Sequence, residues 1–181
     1  MLPRFLDIEA SSLYAESYPI EIAWSNELGD IESYLINPAT VESWTDWDLY
    51  AEHEIHGISR ALCQESGLHP QEICTLMNQS IKAGDIIYAD GGQHDENWVD
   101  ILYGAGAERG FANFKIVHSD VVMLPLLMKI ESDNRKCWHL YDELKVQARN
   151  IVNEQQHRAA VDVQYLIELW RICYSLSRVG I

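Results

Sequence analysis

Positive charge is scarce in the first 100 residues, where Arg4, Arg60 and Lys82 are the only cations against 19 Asp and Glu, a net of −16. Residues 101 to 181 carry 10 Lys and Arg against 9 acids, so the whole chain has a formal net charge of −15. Such a chain does not suit non-specific coating of long nucleic acid, which needs many cationic contacts to release counterions. A short polyanion could still be held if metal ions neutralised an acidic pocket. Long apolar runs are also missing, and no basic start, apolar core and cleavage site can be found, so no membrane partner is expected and a cytoplasmic location is. Cysteine is sparse. Cys63, Cys74, Cys137 and Cys173 form no CxxC pair and have no His at ligand spacing, which excludes a zinc site or a disulfide framework and leaves reduced core thiols. No repeat, low-complexity tract or linker interrupts the 181 residues, 48% of them hydrophobic, and one domain over residues 1–181 is expected.

What is present is an alternation of strand and helix patterns. Strand-like runs occupy Arg4 to Ile8, Ile20 to Trp24 and Ile31 to Ile36, separated by connections short enough for a meander. Asn37 to Gly57 is rich in Asp, Glu, Trp and His and reads as mostly loop. Helical spacing returns at Ile73, Leu76, Met77 and Ile81 behind Pro70, then "DIIYAD" predicts a buried strand. Trp98, Ile101 and Leu102 suggest another helix and "FKIVHS" another strand, while Pro125 argues against one regular helix in "VVMLPLLM". Val163, Leu166, Ile167, Trp170 and Tyr174 mark a long final helix.

Two stretches carry chemistry. In "FLDIEASSL", Phe5 to Leu13, the strand period of two puts Asp7 and Glu9 on one face, side by side in an apolar run. Like charges held that close repel and lose hydration, and a divalent cation between them removes the conflict. In "EQQHRAAVDVQYL", His157 and Asp162 are five residues apart, about 140° around a continuous helix. Both reach one centre if Asp162 lies on the helix and His157 precedes it on a loop, which gives a base beside a metal ligand.

These stretches resemble the first and third motifs of the DEDDh (DnaQ-like) 3′-to-5′ exonucleases, the family of ribonuclease T and oligoribonuclease. Asp95 in "QHDENWVDIL", followed by Trp98 and Val99, resembles the second motif, with Asp90 as its rival. "EIHGIS", Glu54 to Ser59, resembles a connecting segment common in these enzymes. The resemblance implies a ribonuclease H-like α/β fold with a mixed sheet of about five strands and helices on both faces. It implies two divalent ions, Mg²⁺ or Mn²⁺, held by Asp7, Glu9, Asp95 and Asp162, roughly 4 Å apart so as to clamp the attacking and leaving oxygens of a phosphodiester. His157 would take the proton of the attacking water, as a histidine with its ordinary pKa of roughly 6.5 can near neutral pH. Short or single-stranded DNA or RNA would be cut to nucleoside 5′-monophosphates, with Ala10, Leu13 and His56 among the substrate-binding residues; Leu13 would wedge against a terminal base, a place in the core being its alternative. The motifs do not separate DNA from RNA. Several relatives dimerise, so the resemblance admits a homodimer, although no interface is signalled. A non-catalytic nucleic-acid-binding or proofreading-type subunit is the alternative, and the presence of all five motif residues argues against it.

The charge asymmetry adds one expectation. An acidic N-terminal portion must draw its phosphate-binding cations from elsewhere, and Lys145 and Arg149 are the leading candidates among Arg135, Lys136, Lys145, Arg149 and Arg158. Trp44 and Trp47 could stack bases, although packing of a long loop is the simpler role. Ser119 and Asp120 read as a helix cap, and His53, His69, His94, His118 and His139 as ordinary surface or core residues.

Overall fold

Strand alternation decides which face of the sheet carries charge. In the computed structural model, which describes residues 1–153 and 157–179, β1 (Leu6–Ala10), β2 (Pro19–Ser25) and β3 (Ile31–Leu35) form an antiparallel meander. Asp7 stands opposite Ala23 and Glu9 opposite Glu21. Leu6, Ile8 and Ala10 point into one apolar cluster, while Phe5 and Ala23 belong to another on the opposite face. Asp7 and Glu9 therefore share the side of Phe5, as the period of two requires.

β4 (Ile86–Ala89) and β5 (Lys115–His118) pair in parallel as a second small sheet. The expected sheet of about five strands is thus three strands plus two, joined by one parallel bridge between Phe5 and Tyr88, where the Tyr88 N–H donates to the Arg4 carbonyl at 2.9 Å. The overlap stops there because the chain bends at Asp90 and enters a helix at Gln93.

Helices cover both faces. On one side α1 (Arg60–Ser66), α2 (Pro70–Ser80) and α3 (Gln93–Gly106) bring Cys63, Ile73, Met77, Val99 and Leu102 against Leu6, Ile8 and Ile22. On the other, α4 (Asp120–Leu127), α5 (Asn134–Val152) and α6 (Ala159–Val179) supply Met123, Tyr141, Leu144, Val163 and Leu166. Local chemistry sets the starts. Ser59 caps α1, His69 and Glu72 form a capping box with Pro70 at the first position of α2, and Asp133 caps α5. All four cysteines are buried and free, and burial pushes the Cys63, Cys74 and Cys173 thiols up to about 12.

Several elements differ from the sequence reading. The segment read as loop contains a 3₁₀ turn at Pro38–Thr40 and a π-helical stretch at Ala51–His56, and α1 follows it directly. α4 continues through Pro125, which lies near the end of an eight-residue helix and so removes only a late hydrogen bond. Ser119 makes no side-chain cap, and its Oγ donates instead to Asp90 Oδ1 at 2.9 Å. Trp44 is buried and stacked on Tyr18 at 5.0 Å, and Trp47 donates to Glu52, so packing accounts for both. Among the described residues no helix is long and apolar enough to cross a membrane.

Ile22 occupies the centre of the inner face of β2 and is completely buried. Ile22→Ala should lower unfolding free energy by about 2–5 kcal/mol, the cost of lost transfer energy plus a cavity. Leu28→Ala, at a residue 82% exposed, should leave it nearly unchanged. Urea denaturation followed by circular dichroism compares the two, and equal effects would contradict this core.

Candidate active site

The acids of β1 face α6 across a cleft of about 340 Å³. Asp7, Glu9, Asp90, Asp95, His157 and Asp162 all line it, with Leu13, His94, Trp98, Arg149 and Tyr165 completing its walls. Three regular elements position the carboxylates. β1 presents Asp7 and Glu9, the first turn of α3 presents Asp95, and the first turn of α6 presents Asp162. His157 stands just before α6 with a left-handed backbone (φ 61°), and its N–H donates to Asp162 Oδ2 at 2.9 Å. The loop-then-helix arrangement expected from their spacing is therefore what the chain adopts. Glu9, His157 and Asp162 each offer a ligand atom, and these atoms lie within 4.8 Å of one another.

Burial first, and crowding after it, shifts the acids upward. Burial holds Asp7 well above the carboxylate range, and the charges of Asp95, Glu9, Asp162 and Asp90 add to it. Burial, Asp162 and Glu21 raise Glu9 to about 8, with Arg158 pulling the other way. Asp95, 2% exposed, is raised to about 7 by burial, partly offset by a hydrogen bond from the Gly91 backbone. Its Oδ2 has no protein partner. A side chain at position 91 would put Cβ 2.6 Å from that oxygen, so glycine is what lets the backbone approach. Of the two second-motif candidates, Asp95 thus keeps a free buried oxygen, while Asp90 Oδ1 is engaged by Ser119.

Sequence reading missed Glu21. This acid on β2 is 3% exposed and accepts from Arg158 Nε at 3.0 Å, Arg158 Nη2 at 2.7 Å and the Ala159 N–H at 2.9 Å. The bidentate fork ties the start of α6 to the sheet and fixes the chain beside His157. Its only signal in the sequence was a charged residue in an otherwise apolar strand. Of the expected cations, Arg158 is thus paired with Glu21, and it does not line the cleft.

The other expected contacts separate. Ala10 is buried and Leu13 is 82% exposed, and both border a neighbouring hollow of about 560 Å³ lined also by Tyr14, Tyr50, Ile55 and Trp98. His56 is buried against the same hollow, with Nδ1 accepting from the Ile58 N–H at 3.0 Å, Nε2 unpartnered and its pKa lowered by burial. Arg149 reaches the cleft and pairs with Asp162 Oδ1. Lys145, one turn earlier on α5, places its ammonium 4.5 Å from the centre of the Tyr141 ring, and it does not line the cleft. Arg135 and Lys136 are exposed at the other end of α5, about 20 Å from Arg149 along the helix.

No protein-family model matches the chain, and no curated protein matches it by sequence. Solved structures do. Exonuclease I from Methylocaldum szegediense superposes with a TM-score of 0.62 at 17% identity, over 93% of this chain and 40% of that one. The zinc-bound E. coli exonuclease I complex with single-stranded DNA gives 0.63 at 14%, over 96% and 42%. The same enzyme with a 5cy-dT13 oligonucleotide gives 0.60 at 14%, over 97% and 43%. The chain thus has a mixed α/β fold of the exonuclease I type and spans about two fifths of the length of those proteins. This likeness is at the level of the wider fold, and it does not extend to a ribonuclease T or oligoribonuclease subtype.

The raised acids make metal-free stability depend on pH. Asp95 and Glu9 bind more protons folded than unfolded from about pH 4 up to about 7 and 8, so stability is lost as pH rises through that window. Melting temperature in EDTA should therefore fall between pH 5 and 8. Added Mn²⁺ should restore it most at pH 8, and a metal-free curve that rises with pH would contradict the crowding described.

Proposed function

We propose that the chain is a metal-dependent 3′-to-5′ exonuclease of the DEDDh type, with residues 1–181 forming one exonuclease domain that acts on short or single-stranded nucleic acid. The observation that carries this reading is the convergence of Asp7, Glu9, Asp95, His157 and Asp162, dispersed over the chain, on one cleft. The donor set suits hard divalent cations such as Mg²⁺ or Mn²⁺, because it is mostly carboxylate oxygen. The unpartnered Asp95 Oδ2 and the acids raised by burial and by one another's charge both fit a site completed by cations. Asp7, Glu9, Asp95 and Asp162 would hold them. Two bound ions would neutralise charge developing on the attacking and leaving oxygens of the phosphodiester.

The protein's own groups do the rest. His157, exposed at the mouth of the cleft, takes the proton of the attacking water, and the Asp162 carboxylate holds its backbone in place. The apolar hollow bordered by Ala10, Leu13 and Trp98 receives the terminal nucleoside beside the acids. His56, its Nδ1 occupied by Ile58, offers an Nε2–H donor to that nucleoside. Arg149 is the cation placed to meet a phosphate, and Lys145 would contribute only further along the strand. Single-stranded DNA is the first substrate to try, given the exonuclease I complexes, with RNA beside it.

Purified protein incubated with 5′-labelled DNA and RNA oligonucleotides should shorten them stepwise in Mn²⁺ or Mg²⁺ and leave them intact in EDTA. Nucleoside 5′-monophosphates are the expected products. Absence of metal-dependent release would favour the alternative of a non-catalytic nucleic-acid-binding subunit.

Asp7→Asn and Glu9→Gln should abolish hydrolysis while metal-free melting temperature holds or rises, since each removes a repelling charge along with a ligand. His157→Ala should lower turnover by about two to four orders of magnitude through loss of general-base help, with metal uptake retained. Wild-type turnover in any of the three, or loss of metal uptake in His157→Ala, would overturn the role assigned.

A further inference from the structure

Five carboxylates line the cleft, and Arg149 is the only Arg or Lys among the described residues that does. Its guanidinium is held on two sides. It pairs through Nη1 with Asp162 Oδ1, and its Cζ lies 3.5 Å from the centre of the Tyr165 ring. Both partners belong to α6, whereas Arg149 projects from the last turn of α5, so the contact bridges the two helices at the mouth of the site. The other oxygen of Asp162 accepts from the His157 N–H, which leaves both oxygens of this carboxylate engaged from within the protein. A carboxylate in that condition is neutralised and hydrogen-bonded, not poised to take an ion.

We infer that Arg149 is a built-in counter-cation of the centre, which a divalent ion must displace from Asp162 and which is thereby released to meet the substrate phosphate. The inference rests on the metal-site reading above and adds a coupling to it. In the metal-free protein Arg149 offsets repulsion among Asp7, Glu9, Asp95 and Asp162 and so supports the fold. Metal entry and the Arg149–Asp162 pair compete for one carboxylate, so each weakens the other by the same factor. The Tyr165 face gives the guanidinium a contact to keep as it leaves the carboxylate, because a cation over an aromatic ring retains part of its stabilisation.

Calorimetric titration of Mn²⁺ into wild type, Arg149→Gln and Asp162→Asn, with melting temperatures in EDTA and in saturating Mn²⁺, tests this without any turnover. Arg149→Gln should bind Mn²⁺ about tenfold more tightly than wild type. It should melt lower in EDTA yet match wild type in saturating Mn²⁺, a recovery that a merely structural arginine would not show. Unchanged or weaker Mn²⁺ affinity in Arg149→Gln overturns the inference alone if wild type binds Mn²⁺ and Asp162→Asn does not, because the metal site then stands. If neither wild type nor Arg149→Gln takes up Mn²⁺, the metal-site reading fails and the inference falls with it.

Discussion

Repulsion among carboxylates gathered at one cleft is the constraint to which the rest of this structure answers. Two such charges about 5 Å apart repel by about 3 kcal/mol at an effective dielectric of about 20, and here Asp7, Glu9, Asp90, Asp95 and Asp162 share one wall-to-wall space. That load is comparable with the whole stability of a typical domain, so it has to be spread. Burial and neighbouring charge raise Asp7, Glu9 and Asp95, which favours their protonated forms and so lessens the repulsion. Arg149 on Asp162 takes part, and backbone N–H groups of Gly91 and His157 take more.

The fold makes this crowding tolerable by anchoring Asp7, Glu9, Asp95 and Asp162 on rigid elements. β1 is stitched between β2 and the bridge to Tyr88, α3 is packed by Trp98, Val99 and Leu102, and α6 is tied down by the Arg158–Glu21 fork. Asp7, Glu9, Asp95 and Asp162 therefore cannot relieve their repulsion by swinging away with a loop, and Asp90, in the bend after β4, is held by Ser119. The same rigidity is what a site needs if cations are to find their ligands already in place. His157 is the exception, since it sits outside regular structure with a left-handed backbone, and the Glu21 and Asp162 carboxylates on either side hold it there.

Division of the cleft's surroundings follows from composition. The acidic wall comes mainly from β1, α3 and α6, while the neighbouring hollow draws Ala10 from β1, Leu13 from the β1–β2 connection, and Tyr50, Ile55 and His56 from the segment between β3 and α1. An acidic centre thus lies beside a mainly apolar chamber, and Glu9, Leu13, Trp98 and His157 border both.

Local chemistry made much of this legible from the residues alone. The strand period placed Asp7 and Glu9 on one face, and the helix period showed that His157 and Asp162 could not both lie on one helical face. Apolar stripes marked the strands, α2, α3 and α6, because burial of an amphipathic face leaves its period in the sequence. α1 and the π-helical stretch left no such trace, being short and largely polar. What only the tertiary structure decided was partnership. Arg149 and Arg158 looked alike as cations near the final helix, yet one lies on Asp162 inside the cleft and the other on Glu21 from a strand 137 residues away. Asp90 and Asp95 likewise differ only in the folded chain, where Ser119 engages Asp90 Oδ1 and Asp95 Oδ2 has no partner. A pairing between distant residues carries no period, and which carboxylate a cation neutralises depends on distances that exist only once the chain has folded.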